Sequence, residues 1–166
     1  MIMSFLPTFK VFEMNNLAGL RNGHILANMA ADLDKTASVE VGGNEYIENG
    51  IILGLDAAGT VSNYDPDAHK RPFVHFTEEH LTYFQELRLY AEPVVDGVVY
   101  PRCVALYDGD TFTTNNYTGT LEGDGFATVT DGVLTLQEED TGAMFKATAS
   151  TLPDGSDAYE FLYLGV

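Results

Sequence analysis

Apolar and polar side chains alternate along most of this chain in short runs, which is the spacing of strands with one buried face. The runs are rich in Val, Ile, Leu, Phe, Tyr and Thr, the residues that favour strands. Seven Asn-Gly or Asp-Gly pairs separate them, and both residue types tolerate the positive φ of a tight hairpin turn. The pattern therefore predicts a mainly β protein, an antiparallel sandwich or barrel. The pairs are Asn22-Gly23, Asn49-Gly50, Asp96-Gly97, Asp108-Gly109, Asp124-Gly125, Asp131-Gly132 and Asp154-Gly155.

The alternation predicts about eleven short strands. The run Ile51–Leu55 is almost continuously apolar, which indicates a central strand covered on both faces. The strands before residue 64 are expected to form a meander, with Gly42-Gly43 and Asn49-Gly50 as hairpin turns. The predicted strands are 24–30, 38–41, 45–48, 51–55, 60–63, 98–106, 111–114, 126–130, 133–137, 143–149 and 158–164.

One short helix is predicted over Thr77–Gln85. The Thr77 hydroxyl can cap its first turn, and Glu78 and Glu79 would lie at the positive end of the helix dipole. The alternation of Leu87, Leu89 and Ala91 then favours a return to strand.

The first twenty residues differ from the rest of the chain. Phe5, Leu6, Phe9 and Phe12 crowd together without a helical or strand period, which indicates an extended N-terminal arm over residues 1–20. Two interpretations remain open: the aromatic rings cap one end of the core, or they pack on a partner. No repeat or composition shift divides residues 21–166, which we expect to form a single β-rich domain.

The net charge of the chain argues against two classes of partner, nucleic acids and membranes. Twenty-five acidic and eight basic side chains give a net charge of −17, which repels phosphate backbones and anionic lipid. We therefore expect no nucleic-acid partner and no membrane partner, and no segment approaches the ~20 apolar residues of a membrane span. Cys103 is the only cysteine, so no intramolecular disulfide can form.

Candidate chemistry is weak. His75 and His80 flank Glu78-Glu79, but five helical residues rotate the two histidines apart by roughly 140°. Asp108-Gly109-Asp110 lacks the ligand series and closing Glu of an EF-hand, although an irregular calcium site built from turn aspartates stays open. Cys103 lies in an apolar run that favours inert packing. We predict that the chain is not an enzyme, and we assign no catalytic, cofactor-binding or metal-binding residue.

Three short blocks have a more specific pattern. They are Glu48-Asn49-Gly50-Ile51-Ile52-Leu53-Gly54-Leu55, Val99-Tyr100-Pro101-Arg102 and Asp108-Gly109-Asp110-Thr111-Phe112-Thr113-Thr114-Asn115. Together they resemble small capsid decoration proteins, also called cement proteins, of tailed bacteriophages. The resemblance implies a structural virion protein that binds the outer surface of an icosahedral capsid and stabilises the expanded shell. It further implies the major capsid protein as a partner, self-association as a homotrimer, and a location on the capsid exterior after synthesis in the host cytoplasm.

Two sets of contact residues follow from these interpretations. The arm residues Phe5, Leu6, Phe9 and Phe12 are the candidates for capsid contact. The second and third blocks supply candidates for a contact between subunits. Their alternative interpretation is purely structural, a kinked strand followed by a turn. Pro101 cannot donate a ladder hydrogen bond, so we expect its strand to lie at a sheet edge or to be bulged there. The candidate subunit-contact residues are Tyr100, Pro101, Arg102, Asp110, Thr113, Thr114 and Asn115.

Two other functions remain open. A carbohydrate- or receptor-binding β-sandwich of a phage fibre or adhesin would present an exposed tyrosine patch with nearby acids. A metal-dependent hydrolase would instead bind a metal through His75 or His80.

Overall fold

A computed structural model describes residues 10–76, 91–153 and 155–165. The expectation of a mainly β protein is confirmed, because strands dominate this part of the chain and its helical segments are a few residues long. The short elements are the helix α1 at Ala18–Arg21 and a 3₁₀ turn at Leu33–Lys35. The strands are β1 Phe12–Asn16, β2 Ile25–Leu26, β3 Val39–Val41, β4 Asn44–Glu48, β5 Ile52–Leu55, β6 Val61–Asn63, β7 Phe73–His75, β8 Ala91–Pro93, β9 Cys103–Ala105, β10 Thr111–Thr114, β11 Tyr117–Thr118, β12 Gly125–Thr130, β13 Val133–Gln137, β14 Phe145–Thr151 and β15 Asp157–Tyr163.

The strands form three sheets. The large sheet has the order β1-β10-β15-β14-β12-β13-β11, the middle sheet β2-β9-β7-β5-β6, and the small sheet β3-β4-β8. Neighbouring strands are antiparallel except β11 and β13, which run parallel. The antiparallel pairing predicted from the Asn-Gly and Asp-Gly turns is therefore confirmed for most strands.

The large and middle sheets share the main core. Phe112, Phe145 and Phe161 of the large sheet are fully buried, and their rings contact one another with centroids 5.8–6.2 Å apart. The middle sheet adds Ile52, Val74 and Val104 to the same cluster. Two sheets that bury their facing side chains in one core form the layered arrangement of a sandwich.

The middle sheet is buried on its other face as well. A second cluster there contains Ile47, Ile51, Leu53, Val61, Val99 and Cys103, with Ile47 contributed by the small sheet's β4. In β5, Ile52 belongs to the main core and Leu53 to the second cluster. The prediction that the Ile51–Leu55 run is a central strand covered on both faces is confirmed.

Tight hairpins form where strand partners follow each other directly. Asp131 and Gly132 have φ of 49° and 79°, and they join β12 to β13 in a turn closed by the Thr130–Val133 pair. Asp96 and Gly97, with φ of 53° and 74°, lie between the bridged residues Val95 and Val98. Gly42-Gly43 joins β3 to β4 in the same way.

Three of the turn pairs do not join paired strands, and the predicted meander before residue 64 is wrong because Asn49-Gly50 is one of them. Asn49-Gly50 separates β4 of the small sheet from β5 of the middle sheet, and Gly50 has a φ of 88°. Asp108-Gly109 likewise leads from the middle sheet to the large one, and Asn22-Gly23 follows α1. The dipeptide favours positive φ locally, but tertiary packing decides which sheet the next strand joins.

The helix predicted over Thr77–Gln85 lies outside the described residues, as does most of the strand predicted after Leu87. In the described part of the chain, no helix is long and apolar enough to cross a membrane.

Candidate functional site

The N-terminal strand β1 forms one edge of the large sheet. It pairs antiparallel with β10, so that Phe12 faces Thr114 and Met14 faces Phe112. Four of its five residues, from Glu13 to Asn16, are exposed. Residues 12–16 of the predicted arm therefore belong to a sheet of the same chain.

Side chains of other segments form hydrogen bonds with the backbone of Lys10 and Val11, just before this strand. The Val11 N–H donates to Oδ1 of Asn115 at 2.7 Å, and the Val11 carbonyl accepts a 2.6 Å bond from the Thr114 hydroxyl. One residue earlier, the Lys10 N–H donates to Oε1 of Glu48 at 3.0 Å. We call Lys10 and Val11, with Glu48, Thr114 and Asn115, the N-terminal anchor.

Phe12 extends this anchor into the main core. Its ring stacks on Phe112 at a centroid distance of 5.1 Å and on Phe76 at 5.4 Å. The Arg102 guanidinium in turn lies over the Phe76 ring, 5.3 Å from its centroid. Of the four aromatic or apolar residues proposed for capsid contact, Phe12 packs within its own chain, whereas Phe5, Leu6 and Phe9 lie outside the described residues.

Four of the candidate subunit-contact residues bond the N-terminal segment of their own chain. Besides Thr114 and Asn115, the Thr113 hydroxyl accepts a 2.9 Å bond from the Asn15 amide. The Asp110 carboxylate accepts bonds from the backbone N–H groups of Ala18 at 2.8 Å and Tyr107 at 3.0 Å. Asp110, Thr113 and Thr114 are buried as a result.

The other three subunit-contact candidates precede β9. Tyr100 is 55% exposed, Pro101 is buried, and the Arg102 carbonyl accepts bonds from His75 Nδ1 at 2.8 Å and the Phe76 N–H at 3.2 Å. The strand expected over 98–106 is confined to Cys103–Ala105, and β9 lies between β2 and β7. Pro101 therefore lies ahead of an interior strand, and the expectation that it marks an edge or a bulged strand is wrong.

An exposed apolar hairpin lies beside Tyr100. Val95 and Val98 are 62% and 46% exposed, and their backbones exchange two hydrogen bonds of 3.0 Å across the Asp96-Gly97 turn. The sequence signal was a turn pair flanked by two valines, which indicates a hairpin but does not show which face is covered. Val95, Val98 and Tyr100 are thus three exposed, largely apolar side chains within six residues of the chain.

His75 is buried and does not face an open site. Its exposure is 0%, its Nδ1 donates to the Arg102 carbonyl, and Nε2 has no hydrogen-bond partner among the described residues. Burial lowers the pKa of His75 to about 4, so the ring is neutral at pH 7. Glu78, Glu79 and His80 lie outside the described residues. Within the described ranges, no three His, Cys, Asp or Glu side chains are grouped so that they could hold a metal ion.

Cys103 is also enclosed. Its thiol is fully buried in the second cluster and donates to the Pro101 carbonyl at 3.3 Å. Burial raises the pKa of this thiol well above its ordinary value. A thiol that stays protonated and inaccessible is a poor nucleophile, in keeping with the interpretation of Cys103 as packing.

A cluster of Asp56, Ser62 and His69 was not found from the sequence, because its members lie on β6 and on two loops. His69 Nε2 is 2.9 Å from Oδ1 of Asp56 and 3.4 Å from the Ser62 hydroxyl, while Nδ1 accepts a 2.9 Å bond from the Asp65 N–H. Nδ1 therefore lacks a proton, and the proton resides on Nε2. A catalytic histidine needs a free lone pair toward the serine, so this arrangement is not a hydrolytic triad.

The same bonds explain the acidity of Asp56. Burial alone would raise its pKa, but hydrogen bonds from His69 and Ser62 stabilise the carboxylate and lower the pKa below its ordinary value. The cluster therefore links the loop at 65–69 to β6 as a structural network.

Comparison with known proteins finds no matching family model, curated protein or solved structure.

Proposed function

We propose that this chain is a non-catalytic structural protein of a tailed-phage virion, which binds the outer surface of the icosahedral shell and stabilises its expanded form. Its partner is the major capsid protein, and it acts as a homotrimer on the capsid exterior. Phe5, Leu6 and Phe9 contact the shell.

The N-terminal anchor is the observation that carries this proposal. The three sequence blocks of the decoration-protein resemblance are separate in the chain; the first and third contribute to the anchor itself, and the second to the aromatic packing of Phe12 next to it. Glu48 of the first block accepts a hydrogen bond from the Lys10 N–H. Thr114 and Asn115 of the third block form hydrogen bonds with the backbone of Val11. The second supplies Arg102, which lies over the Phe76 ring that stacks on Phe12. The blocks thus hold the residues directly after Phe5, Leu6 and Phe9.

The charge and the exposed apolar side chains support the same role. A net charge of −17 keeps the protein away from free nucleic acid during assembly. Val95, Val98 and Tyr100 are exposed apolar or aromatic side chains of the kind used in protein contacts. Repetition of one weak contact over a lattice would give strong binding without a single dominant residue.

Co-sedimentation with phage heads that lack this protein tests the proposal. Full-length protein should bind expanded heads saturably and unexpanded heads weakly. Absence of binding to expanded heads would refute the decoration function.

Two variants separate the arm from the rest of the surface. Deletion of residues 1–9 leaves β1 in place, and we expect it to weaken head binding at least about tenfold, or about 1.4 kcal/mol. The second variant replaces three exposed side chains of the alternative contact surface, as Val95→Ala, Val98→Ala and Tyr100→Ala, and we expect a smaller effect on head binding than that of the deletion. If the truncated protein binds as well as the full chain, the arm is not the capsid contact. Loss confined to the triple variant would transfer that role to the hairpin.

A further inference from the structure

A pocket of about 300 Å³ opens between the β14–β15 pair and the residues that follow β11. Its inner wall contains the rings of Tyr117 and Tyr159, which meet edge to face with centroids 5.2 Å apart and an interplanar angle of 88°. Tyr159 is buried in the main core, whereas Tyr117 packs against that core, is half-buried and lines the pocket. The pocket is therefore an aromatic cleft that continues the core toward the surface.

Polar groups surround the aromatic wall. Asp157, Ser150 and Thr120 line the pocket, and all three are exposed. Within the described ranges, none of these three side chains makes a hydrogen bond to another side chain. One carboxylate and two hydroxyls are thus available to a bound molecule.

Strand pairing holds one wall of the pocket in place. Cross-strand pairing sets Ala149 against Tyr159 and Thr151 against Asp157, which positions the aromatic ring and the carboxylate two residues apart on one strand face. On the other side, Leu121 packs on the main core and lies so close to Gly125 that a methyl group there would stand 2.7 Å from it. A site with rigid walls loses little entropy when a ligand binds.

We propose that this pocket binds a neutral pyranose sugar. The apolar C–H face of a sugar ring packs on an aromatic ring such as that of Tyr117, while its neighbouring hydroxyls donate to a carboxylate such as that of Asp157. A volume of about 300 Å³ accommodates one sugar ring and lies at the lower end of the range of small-molecule pockets.

Charge selects against acidic sugars. Asp157 lies at the pocket and the whole chain carries −17, so a carboxylated or phosphorylated sugar would be repelled. The pKa of the Tyr117 hydroxyl is raised, first by burial and then by the nearby Tyr159 and Asp157. Tyr117 therefore keeps its proton at neutral pH and can donate a hydrogen bond to the ligand.

Titration of the full-length protein, followed through its amide NMR signals, tests the proposal. The probes are the methyl glycosides of glucose, galactose, mannose and N-acetylglucosamine, with glucuronate as the anionic comparison. At least one neutral glycoside should shift the signals of residues 117–121, 149–150 and 157–159, and glucuronate should bind at least about tenfold more weakly. No shift at these residues with any glycoside up to about 20 mM, well above the mM affinities that correspond to about −4 kcal/mol, would overturn it.

Three variants assign the binding to this pocket. Tyr117→Ala removes the ring, and Asp157→Asn keeps the shape of the side chain while removing its charge. Each should weaken binding at least about tenfold, or about 1.4 kcal/mol. Tyr100→Ala, which removes an exposed tyrosine elsewhere, should leave the affinity unchanged. Unaltered binding by Asp157→Asn, whose isosteric change preserves the fold, would overturn the proposal even if Tyr117→Ala failed to fold.

Discussion

The Thr114 hydroxyl donates a 2.6 Å hydrogen bond to the carbonyl of Val11, and it accepts a 3.0 Å bond from the Asn116 N–H. Thr114→Val keeps the shape of the side chain but removes the acceptor of the Asn116 N–H, and it leaves the Val11 carbonyl with only the longer 3.3 Å bond from the Asn115 N–H. We expect the free energy of unfolding to fall by about 1–3 kcal/mol, because unsatisfied buried polar groups carry a desolvation cost. Urea denaturation measures this loss, and amide hydrogen exchange should accelerate in residues 12–16.

Thr118→Val is the matched control. Thr118 is exposed and its hydroxyl makes one 3.3 Å contact with the Thr135 hydroxyl, so its replacement should change stability by less than about 0.5 kcal/mol. Unchanged exchange in residues 12–16 of Thr114→Val would show that β1 does not depend on this hydroxyl.

Gly54 allows the His69 ring to lie directly against β5. A methyl group at Gly54 would stand 2.2 Å from Cγ of His69, which is too close for a non-bonded contact. Gly54→Ala should therefore displace the imidazole from Asp56 and lower stability by about 1–3 kcal/mol, the usual cost of overpacking. Thermal or urea unfolding checks the change.

Gly123→Ala supplies the comparison for Gly54→Ala. Among the described residues other than its chain neighbours, no atom lies within 4 Å of a methyl group at Gly123, so this substitution should be nearly neutral. Equal effects of the two substitutions would argue against crowding at His69.

Acid should destabilise the protein through His75. The folded protein holds its pKa at about 4, below the ordinary value of 6.5, so the unfolded chain binds the proton more readily. The contribution of His75 is complete above pH 6.5 and is lost as the pH falls toward 4. The full loss is about 3 kcal/mol.

Urea denaturation between pH 7 and pH 4 measures this dependence in the parent protein and in His75→Leu. The substitution changes the stability at pH 7 as well, so the informative quantity is the slope against pH. In His75→Leu, the free energy of unfolding should depend less steeply on pH than in the parent protein, by the uptake of one proton. An identical slope in both proteins would mean that His75 is not the group responsible.

Asp110 uses both carboxylate oxygens to accept backbone N–H bonds, from Ala18 and from Tyr107. Asp110→Asn replaces one acceptor with a donor, and we expect stability to fall by about 1–3 kcal/mol. Because these bonds occupy the carboxylate, millimolar calcium should not shift the melting temperature of the parent protein. A calcium-dependent rise that disappears in Asp110→Asn would support a calcium site at this turn.

Local patterns predicted those strands whose side chains alternate clearly. Val133–Gln137 was predicted with the bounds that the structure shows, and Asp131-Gly132 makes the expected hairpin. The alternation works there because one face of β13 meets the core and the other does not. The strand β7 was missed, since three residues are too few to establish a period.

The candidate site was less predictable. The aromatic cluster near the N-terminus was recognised, but the pairing of β1 with β10 was not, because Phe12 is enclosed only by Phe76 and Phe112 from distant parts of the chain. Tyr117, Tyr159 and Asp157 likewise meet through strand packing, and no local spacing relates Tyr117 to the other two.

The sequence by itself determined the mainly β class, most strand positions and the places where the backbone turns with positive φ, because these depend on neighbouring residues. Only the tertiary structure decided which sheet each strand joins, that Asn49-Gly50 leads between sheets, and that Thr114 holds Val11. The physical reason is that burial and hydrogen bonding between distant segments depend on the whole arrangement, and residues 11 and 114 become neighbours only after the sheet has formed.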